Sequence, residues 1–180
     1  LARARRTARD ARIPALAAEV ANAALALTTP AARMIASGEE RLVRLAEVER
    51  LSASRALVVD ACRHVVRRGT TVISLTTRPV LFALARALGE ASPEDASREV
   101  LLARAFGARI VDESHRARLR VEIGRLRRVL RSIADVRATP RGSALVPRGT
   151  RRVVVLARPI EEPHTAVLVL LADGEAWSSS

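Results

Sequence analysis

The 180-residue chain has no lysine, one cysteine and almost no aromatic side chains. Phe82, Phe106 and Trp177 are its only aromatics. Its core therefore has to be aliphatic, and stacking of unpaired bases on aromatic platforms has almost no residues to use. Cys62 stands alone, which excludes a disulfide within the chain, and no CxxC or Cys/His spacing suits a metal ion. A small thiol in or near the core is the plain reading of it. No apolar run reaches the about 18 residues of a spanning helix. The basic N-terminus leads into no apolar signal segment. No membrane partner and a cytoplasmic location are expected.

Catalytic signatures are missing too. His64, His115 and His164 fall in different elements, His64 alternating with Cys62 along an expected strand. GxGxxG, GxxxxGK and HExxH do not occur. Ser143 has no neighbouring base, and Ser178-Ser179-Ser180 reads as a helix cap. A binding protein rather than an enzyme is expected, with no cofactor and no metal. The chain opens on Leu1 and reads as a piece of a longer protein.

What is abundant is Ala, Leu, Val and Arg. The apolar share is 49%, and the net charge is +12 with a pI near 11.7. That balance favours a polyanionic partner. GC-rich codon usage also produces arginine in excess, so position carries more than number. Three stretches hold the charge: residues 1–12 with five Arg and one Asp, 113–131 with seven Arg and two Glu, and 137–152 with five Arg and no acid. The remainder is slightly acidic.

Along the chain, Leu16, Val20, Ala24 and Leu27 recur at helical spacing, and Pro30 suits the start of a second Ala-rich helix. Residues 1–52 are thus expected to be helical, compatible with the end of a helical repeat array. From Ala56 the texture becomes β-branched, and Arg67-Arg68-Gly69-Thr70 reads as a hairpin turn within a ribbon over 56–75. A helix follows with Thr76 or Thr77 as cap, Pro79 in its first turn and Gly89 at its end. A second helix opens at Ser97 and stops at Gly107, and a third spans about 112–131. Two short strands around Pro140-Arg141-Gly142 complete a hairpin. Ribbon, three helices and hairpin predict a mainly α fold with small β, a winged helix over 53–148, preceded by the Ala-rich helical region. Residues 149–180 read as a linker strand and the start of a second, truncated helix-turn-helix.

Projected at about 100° per residue, Leu119, Ile123, Leu126 and Leu130 of the third helix share one face. Arg118, Val121, Arg125 and Arg128 lie opposite, with Arg116 and Arg120 on a flank. An Arg-dense outer face suits the major groove, where Arg bonds guanine O6 and N7 and neutralises phosphates. Val121 suits a thymine methyl. Thr139 and Arg141 fall at the hairpin. The predicted core is Leu81, Leu84, Leu88, Leu101, Leu102 and Phe106 with the third helix's apolar face.

The segments LVVDACRHVVRRGTTVISLTTRPVLFALARAL, SREVLLARAFG and LRVEIGRLRRVL resemble, in order and spacing, the OmpR/PhoB-type winged-helix effector domain of bacterial response regulators. The likeness covers about residues 56–147. It implies double-stranded DNA as partner, with the third helix in the major groove and the hairpin wing near the minor groove. It implies that Arg118, Val121 and Arg125 face DNA, and that the loop Gly107 to Asp112 can contact RNA polymerase. Glu122 stands where the family carries His, Ser143 where its wing carries an aromatic, and no receiver domain precedes. A homodimer is compatible with this reading. Sequence-specific DNA binding in transcription control is the expected function. The alternative is a degenerate winged helix serving as a protein-interaction or structural module in a larger regulator.

Overall fold

The computed structural model describes residues 2–107 and 113–159. In chain order these form α1 (Ala2–Asp10), α2 (Pro14–Thr28), β1 (Pro30–Ala36), β2 (Glu39–Arg44), α3 (Leu45–Ala53), β3 (Leu57–Asp60), β4 (Val65–Arg68) and β5 (Thr71–Ser74). Then come α4 (Pro79–Ala91), β6 (Ala96–Ser97), α5 (Arg98–Phe106), α6 (Glu113–Leu130), β7 (Ala134–Ala138), β8 (Gly142–Pro147) and β9 (Val153–Ala157).

The mainly α winged-helix expectation does not hold. The fold is α/β, built on a six-stranded sheet of order β2-β1-β9-β3-β4-β5, with a three-stranded sheet β6-β8-β7 beside it. The larger sheet is mixed: β3 and β9 run parallel and the other neighbours antiparallel. The expected Ala-rich helical start is overturned at Pro30. Residues 30–44 form a hairpin instead, with Ala36 opposite Glu39. Its two-residue loop puts Ser37 at φ 53° and Gly38 at φ 79°, the positive values that a tight hairpin turn requires. Of the expected apolar face of α2, Ala24 is buried while Leu16 and Leu27 remain exposed.

The central strands show why the sheet forms. β3 (Leu-Val-Val-Asp) and β9 (Val-Val-Val-Leu-Ala) are buried at every position. Such continuous apolar strands need cover on both faces. On one face Val58, Val154 and Leu156 pack with Met34, Val43 and Leu51 beneath α3. On the other, Leu57, Val59, Val153 and Val155 meet the helical layer, whose core includes Leu81, Leu84, Leu88, Leu101, Leu102, Leu119, Ile123, Leu126 and Leu130. Phe106 packs against that core partly buried.

Local details depart from expectation in three places. The N-cap of α4 is Arg78 with no side-chain cap bond, and Thr76 pairs with the Ser74 hydroxyl at 3.0 Å instead. Gly89 does not end α4, which continues to Ala91. It lies where the helix meets the sheet, and a Cβ there would stand 2.9 Å from Val155 Cγ2 and 3.2 Å from Val59 Cγ2. Cys62 and His64 lie in the turn between β3 and β4, not in a strand. The buried Asp60 carboxylate shapes that turn by accepting from the backbone N–H of Cys62 at 2.9 Å and of Arg63 at 3.1 Å.

Candidate nucleic-acid interface

The basic surface rests on three elements that hold one another. α5 is capped by Ser97, whose hydroxyl accepts from the Val100 N–H at 3.3 Å, and ends at Gly107 in the left-handed conformation (φ 63°). Just before the cap, β6 pairs with β8, Ala96 opposite Ser143 and Ser97 opposite Gly142. The Arg98 N–H donates to the Arg141 carbonyl at 3.1 Å. The hairpin tip is thereby fastened to the start of α5. A Cβ on Gly142 would run into the Ala96 carbonyl, so only glycine fits that approach. Asp95 completes the anchorage. Its carboxylate accepts from the Thr139 hydroxyl at 2.6 Å and lies 3.8 Å from Arg141 Nη1, while Thr139 Oγ1 accepts from the Gly142 N–H.

α6 lies with Leu119, Ile123, Leu126 and Leu130 inward. Burying each such side chain contributes about 1.5–3 kcal/mol, which fixes the rotation of the helix. Val121 is consequently 54% exposed on the outer side, with Arg118, Arg125 and Arg128 also exposed.

The expected site residues do not form one uniform cluster. Arg125 and Arg128 join Arg78, at the start of α4, around a groove of about 540 Å³. Arg116 and Arg120 border a second groove of about 810 Å³, between α6, the start of α5 and the hairpin. Arg118 turns sideways onto the Phe106 ring, its Cζ 4.8 Å from the centroid. Thr139 is half-buried and committed to Asp95, whereas Arg141 projects from the tip.

Pairing divides these arginines further. Glu113 takes Arg120 at 3.1 Å and Arg116 at 3.6 Å. Glu122, only 12% exposed, takes Arg125 at 2.7 Å. Arg127 donates to the Val136 carbonyl at 2.8 Å and lies 3.7 Å from Asp135. Arg128 forms no ion pair among the described residues. At the head of α5 the Glu99 carboxyl is held below its usual range, first by its own backbone N–H and then by the Ser97 hydroxyl.

Arg78 and Asp95 were missed from sequence. Arg78 had a visible signal, a cation just before a helix-starting proline. The Asp95–Thr139 bond, spanning 44 positions, had none. Beyond Gly107, the loop segment matched to a polymerase contact lies outside the described residues, as does the helix-turn-helix expected near the C-terminus. Among the described residues no group of three or more His, Cys, Asp or Glu could hold a metal ion, and no helix is long and apolar enough to cross a membrane. No family model matches the chain, and neither a curated protein nor a solved structure matches it.

Proposed function

We propose that this protein binds duplex DNA sequence-specifically in bacterial transcription regulation, acting as a binding protein rather than an enzyme. α6 enters the major groove and the β7–β8 hairpin approaches the adjacent minor groove. The observation that carries this reading is the outer side of α6. It is an 18-residue helix held by its apolar face, with Val121, Arg125 and Arg128 outward and an anchored, Arg141-tipped hairpin on its flank. Arg125 and Arg128 suit guanine edges and phosphates, and Val121 suits a thymine methyl. The resemblance of residues 56–147 to OmpR/PhoB-type effector segments supports the same assignment.

A second reading, a protein-interaction module, is favoured by the pairing of Arg116, Arg120 and Arg125 with glutamates of the same helix. Paired arginines offer less to phosphate. Fluorescence anisotropy on random and selected duplexes at two salt concentrations separates the two. Under the DNA reading, affinity falls steeply with salt because phosphate contacts release counterions. Arg125→Ala then costs about 1–3 kcal/mol and relaxes preference at one base position. Arg141→Ala weakens all sequences evenly. Affinity that is absent, or flat with salt, selects the interaction module.

A further inference from the structure

A further concentration of exposed positive charge lies at one end of the six-stranded sheet, past the C-terminal end of α6, where the Arg148 N–H donates to the Ile133 carbonyl at 2.9 Å. Three distant segments meet there. Leu57, which opens β3, donates its N–H to the Arg152 carbonyl at 2.9 Å, and stands opposite Val153 on one side and Arg68 on the other. Arg55 is two residues before it. The Arg68 guanidinium reaches across to the Arg148 carbonyl, beneath the Gly149 turn (φ 65°). Arg55, Arg68, Arg148, Arg151 and Arg152 therefore share one end of the sheet, and all but the half-buried Arg68 are exposed.

Ion pairing is sparser here than on α6. There Arg116, Arg120 and Arg125 pair with Glu113 or Glu122, while Arg128 forms no ion pair among the described residues. At the sheet end Arg55, Arg148 and Arg151 form no ion pair among the described residues. Glu47 feels the charge of Arg152, but its carboxylate is bonded to Arg41. Folding thus gathers like charges with little compensation, a placement that gains from a polyanion. Arginine offers phosphate bidentate bonds. The cluster is also far from the hairpin tip: the six residues of β8 separate Gly142 from Arg148, about 20 Å of extended chain.

We propose that this sheet end is a second phosphate-binding surface, contacting the duplex backbone beyond the reach of the hairpin tip. The proposal rests on the duplex-DNA reading above and extends its footprint. The contacts are to phosphate only, so they add affinity and salt dependence without sequence preference.

The test uses the full chain with three proteins: wild type, Arg125→Ala/Arg128→Ala, and Arg148→Gln/Arg151→Gln/Arg152→Gln. Thermal unfolding first checks that each is folded; if the triple variant is not, Arg55→Gln/Arg151→Gln replaces it. Affinity for a random-sequence duplex is measured across a salt series, and binding to phosphatidylserine vesicles is measured in parallel. The expected result is that the sheet-end variant loses about two to three units of the log K against log salt slope, near 0.9 per phosphate contact, with its preference among selected duplexes intact. An unchanged slope overturns the proposal, and so does a loss confined to vesicles. If only the α6 variant changes, this inference falls and the functional reading stands. If only the sheet-end variant changes, the functional assignment of α6 falls and the second surface stands. If neither changes, both fall.

Discussion

Glu122 decides how much of the α6 charge is available. Its side chain is mostly buried beside the start of α4, and its carboxylate accepts from Arg125 at 2.7 Å. Under the proposed duplex-DNA reading, a carboxylate there would compete with phosphate for the same guanidinium and repel the DNA backbone. Glu122→Gln keeps the size and an acceptor oxygen but removes the charge. Its expected effect is tighter duplex binding with a salt slope steeper by up to about one unit, read by anisotropy in a salt series. Weaker and less selective binding would sink this view, and would mean that Glu122 instead holds Arg125 in its reading pose. The presence of an acid at this position was plain in the sequence. Its partner was not, because an i, i+3 neighbour and an open phosphate are equally available to an arginine until the rotation and burial of the helix are known.

Among the elements, α4 shows how packing overrules local preference. Replacing glycine by alanine within a helix normally stabilises by about 1 kcal/mol. At Gly89 the added Cβ would press on Val155 and Val59, which belong to the sheet's two central strands. Overpacking of this kind costs about 1–3 kcal/mol, so Gly89→Ala is expected to lower stability in chemical denaturation. A gain would show that the helix can lift from the sheet. The elements that were legible had local causes. The α6 core face follows from leucine and isoleucine spacing, the α5 start from the Ser97 cap, and the turn before β5 from Gly69 at φ 56°. The β1–β2 hairpin was not legible. Pro-Ala-Ala-Arg-Met-Ile-Ala has little β-branching, Pro30 equally suits a helix start, and Ser37-Gly38 is a short signal.

At the scale of the whole molecule, β9 joins what would otherwise be separate pieces, since it pairs with β1 on one side and β3 on the other. Its valine run is readable as a strand, but its partners lie some hundred residues upstream, and no local pattern names them. Five wholly buried residues at about 1.5–3 kcal/mol for each large side chain rival the 5–15 kcal/mol that hold a typical domain together. A chain ending at Arg152 is therefore expected to lose cooperative unfolding and to bind a hydrophobic dye. A sharp transition at the wild-type midpoint would show that the sheet closes without it. The same arrangement sets a schedule for synthesis. β1 is complete at Ala36 and β9 begins at Val153. At 5–20 residues per second, that interval lasts roughly 6–24 s. For that time the edge of β1, joined by that of β3 once Asp60 is made, lacks the strand that covers both. Until β9 is made, the nascent chain is thus expected to expose two strand edges that invite pairing with other chains.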